Sequence, residues 1–440
     1  MLTTEENELL TRIGPGTPCG DLLRSYWQPV FFAHELTPEH PKARIKILDE
    51  ELVIFRDDDG NYGLVGEHCQ HRGASLYYGF LEDGCIRCAY HGWMYDKSGK
   101  CIEQPFEPAQ SMLKHTIRHP AYPVQELAGV LWAYMGPPDK QPVLPHWDLL
   151  VREDGAREWE VHPALACNWL QCEENTADVT HTFFLHSYSF YKRGLFDGSG
   201  FGRPFVDYGF QPFEWGLLKS WTYSGDRGGF GWGNLLVFPN MLRLANQMHW
   251  RVPVDDTHTR LFWLNFQPTR DESAGGTWTR GFGDGEGQTR PEKVVEANGV
   301  RVRYEGTWLD ERGEYGVDTF PSQDTMAWET QGPIFDRSKE HIGASDAGLT
   351  WFRQTVHEQI ERVQQGEDPM ALIRDPEQQE VDLLPWFSDA SRWFANGKPH
   401  PQDQVFDSQL QTVEVPPGTA RNGVPRLEGA PPARVRSSIA

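Results

Sequence analysis

The chain lacks most of what would tie it to a membrane or to nucleic acid. None of its 440 residues falls in an apolar run approaching the ~20 that a helical span requires. The N-terminal MLTTEENELL has neither a basic region nor an apolar stretch, so no secretory signal is read there. Cations are in deficit: Lys plus Arg number 41 against 63 Asp plus Glu, a net charge of −22. A surface of that sign repels phosphate backbones and anionic headgroups, which argues against both as partners. Cysteine is sparse, with seven residues, an odd number that suits a reducing cytoplasm better than a disulfide scaffold. Cys19, Cys101, Cys167 and Cys172 are expected to be small buried hydrophobes. Flavin and nicotinamide fingerprints are missing too. The Gly-rich GFGDGEG at 281–287 carries Asp284 and Glu286, which would repel a phosphate, and it has no strand-then-helix setting; it reads as a loop. There are no internal repeats.

What is present is enough chain for two domains and a sizeable core. Tryptophan is abundant, at 17 residues, which either wall an apolar pocket or fill core. Thr3 and Glu6 form a possible capping box for a helix over 3–13, closed by Gly14-Pro15-Gly16-Thr17-Pro18. From Ala43 the pattern alternates as strands do, with Ile45 and Ile47, then Leu52 to Phe55, an Asp59-Gly60 turn, and Tyr62 to Val65. Short strands continue to Met135, and a Pro-rich stretch runs from Gly136 to Pro145. The expected division is therefore an N-terminal helical segment 1–39, a small β domain 40–145, a larger mixed domain 146–398, and an extended or disordered tail 399–440. Strand-like runs at 215–223, 235–238 and 261–266 predict an antiparallel sheet in the larger domain. Ser345 is the expected cap of a helix carrying Leu349, Phe352, Val356, Ile360 and Val363, with Gly366 as its stop.

The chemistry concentrates in two places. The first is Cys69-x-His71 followed, after residues 72–87, by Cys88-x2-His91. Two loops that each offer a thiolate and an imidazole suit a [2Fe–2S] cluster with cysteines on one iron and histidines on the other. Neutral imidazole brings less negative charge than thiolate and raises the potential. The rival is tetrahedral zinc, sharpened by Cys85-x2-Cys88, but no second knuckle follows and the spacing fits zinc poorly. Cys69-Gln70-His71-Arg72-Gly73 and Cys88-Ala89-Tyr90-His91-Gly92-Trp93 resemble the Rieske motif of bacterial ring-hydroxylating oxygenases, with Ala89 where proline is usual. Ala74 and Tyr90 stand where respiratory-chain Rieske proteins carry an additional cysteine pair, so the resemblance points to the oxygenase branch.

The second place is Asn175-x2-Asp178-x2-His181-x4-His186. Five residues turn a regular helix by about 500°, leaving the two histidines about 140° apart, so their convergence on one metal predicts a helix end or kink. Two His and one Asp are ordinary taken alone. A one-electron carrier needs an acceptor, however, and the spacing is similar to that of the same oxygenases. The resemblance implies that His181 and His186 are ligands of a mononuclear non-haem Fe(II) completed by one carboxylate, an arrangement that leaves positions for dioxygen.

For that carboxylate, residues 321–331 read as a short helix capped by Ser322 and stopped by Gly332-Pro333, with Asp324 in its first turn. The helix dipole alone would explain an acidic residue there. The run from Gln323-Asp324 through Gln331-Gly332-Pro333-Ile334 to Ser345-Asp346 resembles the phthalate-dioxygenase-like group, which includes aromatic O-demethylases. That implies Asp324 as the iron ligand, with Glu329 as the alternative. It also implies Asp178 as a carboxylate bridging His181 to His71 or His91 of an adjacent subunit, and Asn175 as a supporting amide.

The resemblance implies an α+β fold, an all-β Rieske domain plus a helix-grip catalytic domain. It further implies a homotrimer, single or stacked as a hexamer, and a separate NAD(P)H-dependent reductase with or without a ferredoxin. The expected function is a cytoplasmic terminal oxygenase that hydroxylates an aromatic compound, by cis-dihydroxylation or monohydroxylation. O- or N-dealkylation is the alternative within the class; an electron-transfer protein without oxygenase activity, or a zinc-binding interaction protein, is the alternative outside it. Arg193, Arg203, Arg243 and Arg251 are the candidates for gripping a substrate carboxylate.

Overall fold

The computed structural model describes residues 1–192, 205–223, 230–268, 291–297 and 299–386. The 281–287 run, Arg193, Arg203 and the 399–440 tail lie outside them. Helix α1 (Thr4–Thr11) opens with the expected box: the Glu6 N–H donates to Thr3 Oγ1 at 3.1 Å and the Thr3 N–H to Glu6 Oε2 at 2.6 Å. A second helix, α2 (Pro18–Arg24), starts on Pro18, where a missing N–H costs nothing. Strand β1 (Trp27–Phe32) follows, inside the segment expected to be helical. Pro29 hid this strand, and the structure absorbs the proline in an edge strand with a register shift between Pro29 and Phe31.

The half that carries the two Cys–His loops is mainly β, with one short α-helix. Strands β2 (Lys42–Ile47), β3 (Glu50–Arg56) and β4 (Tyr62–Gly66) form antiparallel hairpins. A second sheet joins β5 (Phe80–Glu82), β6 (Cys85–Arg87), β7 (Met94–Tyr95) and β8 (Cys101–Glu103). After α3 (Leu113–Thr116), β9 (Ala121–Tyr122) completes the first sheet. Strands β10 (Val124–Leu127) and β11 (Val130–Tyr134) pair with β1, so this third sheet crosses the boundary expected at residue 40.

The second half follows β12 (His146–Trp147) and α4 (Asp148–Val151). It comprises β13 (Gly155–Val161), α5 (Trp169–Ala177), a π-helical stretch Thr182–Tyr188, α6 (Ser189–Lys192), β14 (Phe205–Phe213), β15 (Gly216–Tyr223), β16 (Phe230–Val237), β17 (Met241–Leu244), β18 (Gln247–Asp255), β19 (His258–Pro268), β20 (Pro291–Ala297), β21 (Val300–Glu305), α7 (Phe320–Glu329), α8 (Ala347–Gln364) and β22 (Glu380–Val381). Nine strands make one sheet in the order β14-β15-β16-β17-β18-β19-β13-β21-β20, antiparallel except where β13 meets β21. Helix α5 packs against β16, β17 and β18, and α8 against β15.

Two caps differ from expectation. Thr319, not Ser322, caps α7, and Ser322 is the third residue of the helix in a reciprocal box with Thr319. Asp324 therefore falls beyond the first turn, where the dipole argument for an acidic residue weakens. At α8 the N-cap is Asp346, and Ser345 belongs to a preceding single 3-10 turn. Gly366 does end that helix, at φ +80°.

The halves share a core. Trp132 of β11 meets Trp250 of β18 edge-on at 5.1 Å, and Phe32 of β1 stacks on Phe262 of β19 at 5.6 Å. The N–H groups of Leu48 and Asp49 donate to Pro253 and Val254 carbonyls at 3.0 and 2.9 Å, so more than the Pro-rich linker joins them. Helix α5 is pinned by Glu174, whose carboxylate takes two bonds from Arg337 (2.8 and 2.7 Å) and one from Arg353 of α8 (2.6 Å).

Candidate metal centres

The two cluster loops are built alike. In one, the Cys69 N–H donates to Ala74 O at 2.9 Å and Gly73 N–H to Cys69 O at 2.9 Å. In the other, the Cys88 N–H donates to Trp93 O at 2.8 Å and Gly92 N–H to Cys88 O at 3.0 Å. Each turn needs left-handed backbone at its glycine, φ +73° at Gly73 and +75° at Gly92. The result is a convergent donor set. The His71 and His91 rings lie 4.5 Å apart, and His71 stacks on Trp93 at 4.5 Å with an interplanar angle of 8°. Both Nδ1 atoms are buried with no hydrogen-bond partner among the described residues, and both thiols are buried. Orphaned imidazole nitrogens beside buried sulfurs are what an iron–sulfur cluster would satisfy. The Tyr95 hydroxyl lies 3.2 Å from Cys69 Sγ. Cys85 Sγ instead approaches the Asp83 carbonyl at 3.6 Å, which leaves the zinc-knuckle reading without its second sulfur.

The other centre forms where α5 breaks. Asp178 caps the helix in extended conformation (φ −93°, ψ 130°). Its Oδ1 then accepts the Thr180 N–H at 2.7 Å and hydroxyl at 2.9 Å, restarting a helical path. The restarted turn is π-helical, and i→i+5 bonding brings residues five apart onto one side. That is how the expected convergence is met: His181 and His186 present their rings 5.4 Å apart. His181 Nδ1 lies 3.2 Å from Asp178 Oδ2, and His186 Nδ1 lies 2.8 Å from Gln323 Oε1. With each Nδ1 held, each Nε2 is left for a metal. His186 Nε2 stands 3.3 Å from Asp324 Oδ1, and ligand atoms of His181, His186 and Asp324 all lie within 4.8 Å of one another. Asn175 Nδ2 donates to Asp324 Oδ1 at 3.4 Å. Glu329 is engaged elsewhere, accepting from the Ala166 N–H at 2.6 Å and from the Tyr315 hydroxyl.

Charge supports the geometry. Burial pushes the Asp324 carboxyl up, but His186, His181 and Arg251 outweigh it and hold it below the usual carboxylate range. Asp178 is likewise held low against its burial by His181 and Lys219. Burial drives His181 the other way, toward the neutral form that binds metal. Two His and one carboxylate on one side fit the facial arrangement of non-haem iron.

The Rieske [2Fe-2S] domain family matches residues 26–123, and the LigXa C-terminal domain-like family matches residues 235–385. The chain is 35% identical over 387 residues to the 5,5'-dehydrodivanillate O-demethylase oxygenase subunit of Sphingobium sp., covering 86% of this chain and 84% of that one. The chain belongs to the Rieske non-haem iron oxygenases, as an oxygenase subunit. The phthalate 4,5-dioxygenase oxygenase subunit of Pseudomonas putida is 32% identical, with 83% and 88% coverage. Two solved structures share the fold: Pseudomonas putida CBB5 NdmA with caffeine (TM-score 0.55, 18% identity, covering 81% of this chain and 98% of that one) and dicamba monooxygenase bound to dicamba (TM-score 0.52, 14% identity, 78% and 99%).

Of the arginines considered for this oxygenase, Arg243 is buried against Asp148 at 2.7 Å. Arg251 of β18 stands 3.6 Å from Glu173 and 5.9 Å from the Trp328 ring, and Trp328 lies one turn along α7 from Asp324. Its Nε and Nη1, the His249 Nε2 and the indole N–H groups of Trp263 and Trp328 are buried without a hydrogen-bond partner among the described residues. Trp132, Trp159 and Trp250 fill the shared core, while the unpaired indole N–H groups belong to Trp328, near Arg251, and to Trp263, against His249. Gln323 and Lys219 were not singled out from the sequence. The available signals were an amide directly before Asp324 and a lysine within an apolar strand.

Proposed function

We propose that this chain is the terminal oxygenase of a multicomponent system acting on an aromatic acid, with His181, His186 and Asp324 holding the iron and Cys69, His71, Cys88 and His91 the cluster. The observation that carries the reading is the convergence of His181, His186 and Asp324 on one point. When bound, the cluster supplies single electrons and the iron supplies dioxygen activation. The remaining roles fall to this chain's own side chains. Asp178 and Gln323 fix the two imidazole rings, and Asn175 steadies the ligand carboxylate. Arg251 is the residue we assign to the substrate's carboxylate, because its guanidinium leaves Nε without a hydrogen-bond partner among the described residues, holds Glu173 only at 3.6 Å through Nη1, and lies beside the helix that carries Asp324.

Within the chain no hydrogen bond among the described residues joins Asp178 to His71 or His91. We place the bridge between subunits, in a homotrimer or stacked hexamer, as the family resemblance implies. A separate NAD(P)H-dependent reductase, with or without a ferredoxin, and a cytoplasmic setting complete the reading. O-demethylation of a methoxylated acid is the second reading, favoured by the identity to the dehydrodivanillate O-demethylase subunit. The test is substrate-stimulated oxygen uptake over benzoates, phthalates, methoxybenzoates and their neutral amides. Uptake is expected with acids, and Arg251→Met is expected to raise KM for the acids while leaving the neutral amides unaffected. Equal KM changes for acids and amides would remove Arg251 from the role; no uptake with any arene would remove the oxygenase reading.

A further inference from the structure

Lys219 lies in the middle of β15 and is buried. Its ammonium donates to the backbone carbonyl of Asp178 at 2.6 Å and reaches that of Asn175 at 3.4 Å. These carbonyls stand at the C-terminal end of α5, whose last turn carries no basic residue. A cation there satisfies terminal carbonyls and meets the negative end of the helix dipole. On the same strand Trp221 packs with Val179, so β15 grips the break in α5 at two successive points of one face. The two carbonyls belong to the two residues whose side chains reach the ligand set, Asp178 to His181 and Asn175 to Asp324. Other charges near Lys219 come from α5, β18 and α7: Asp178 and Glu173, Arg251, and Asp324. Burial presses the ammonium down to about 8, against the pull of the neighbouring Asp178 and Asp324 carboxylates.

We propose that Lys219 is a positioning residue for the mononuclear site: by seating the carbonyls of both Asn175 and Asp178 it sets the two side chains that orient Asp324 and His181. The inference rests on the assignment of Asp178 as the electron bridge. The role is to hold orientation, so the loss should appear in transfer between centres rather than in substrate affinity.

The test uses the assembled oxygenase with cluster and iron content measured. In Lys219→Met, cluster reoxidation in a single turnover with oxygen and substrate is expected to slow about 10–100-fold per loaded iron, the range typical when a partner of a metal ligand is lost. Cluster absorbance, cluster potential and KM should stay at wild-type values. Hydrogen exchange over 175–188 should become faster while exchange over 69–93 does not change. Lys219→Gln, which keeps a shorter uncharged donor, should fall between the two, and it carries the test if the Met variant does not fold. A rate within twofold of wild type in the folded variants, or unchanged exchange over 175–188, overturns the assignment. Asp178→Asn is the reference. If it too keeps the wild-type rate, the bridge reading falls; if it is slow while Lys219→Met is fast, only the role of Lys219 falls.

Discussion

Replacing Gln323 by methionine removes two hydrogen bonds and little volume, and its effect can be sized from the structure. Gln323 is fully buried, and its Oε1 is the partner of His186 Nδ1 at 2.8 Å. Without it a buried imidazole N–H has no acceptor, which costs about 1–3 kcal/mol. Loss of a bond that orients a metal-bound histidine typically weakens metal binding about 10–100-fold, or about 1.4–2.8 kcal/mol. The two estimates overlap, so the expected result is an Fe(II) dissociation constant raised about 10–100-fold. Gln323 Nε2 also donates to Val317 O at 3.2 Å, whose loss adds about 1 kcal/mol of destabilisation. The assay is anaerobic titration of iron-depleted oxygenase against a chromophoric chelator, with cluster absorbance as internal control. Iron affinity within twofold of wild type would refute the role given to Gln323. Loss of cluster colour in parallel would refute the separation of the two sites.

Three further outcomes are expected. His181→Ala and Asp324→Ala should abolish turnover with the cluster's visible spectrum intact, read by absorbance and metal analysis. On the proposed inter-subunit bridge, Asp178→Asn should keep both metals yet nearly stop product formation, since an amide cannot offer two acceptor oxygens to two imidazoles, and mixed oligomers of Cys88→Ala and His181→Ala chains should recover part of the activity, measured on doubly tagged species. Glu174→Gln should cost about 3 kcal/mol at neutral pH, because it leaves buried Arg337 without a carboxylate partner, while Arg353 keeps its pair with Glu340. Burial raises the Glu174 carboxyl, but the two arginines outweigh it and leave it lowered. A carboxyl lowered by folding stabilises above its unfolded value and loses that contribution as pH falls. The gap between wild type and variant in denaturant unfolding should therefore be full at neutral pH and narrow below about pH 4.3.

How much of this was legible in the sequence depended on how local each feature is. Cys69-x-His71 and Cys88-x2-His91 are readable because one tight turn must deliver both donors of each pair, which leaves a fixed spacing. The bend before His186 was readable for the opposite reason, since a regular helix cannot bring residues five apart together. Its form, a break at Asp178 followed by π-helical turns, was not, because it depends on the Asp178 side chain restarting the helix. Asp324 lies far along the chain and only the resemblance singled it out; its helix begins earlier than the Ser322 cap suggested because Thr319 has the same capping chemistry. Strand β1 was obscured by Pro29. Gln323 and Lys219 were missed because an amide or ammonium acquires its partner only when α7 and β15 pack against the break in α5.

The measurement that tests the central claim most directly is a single turnover with isotopically labelled dioxygen. The reduced oxygenase is mixed with labelled dioxygen and an aromatic acid that stimulates uptake, and the products and the cluster spectrum are followed together. The account expects wild type to reoxidise its cluster and release product carrying label from dioxygen, or the dealkylated acid with labelled aldehyde. It expects Asp324→Ala to keep its cluster reduced and to form nothing. Labelled product from Asp324→Ala, or cluster reoxidation in wild type with no oxygen transferred to any arene or alkyl group, would contradict it.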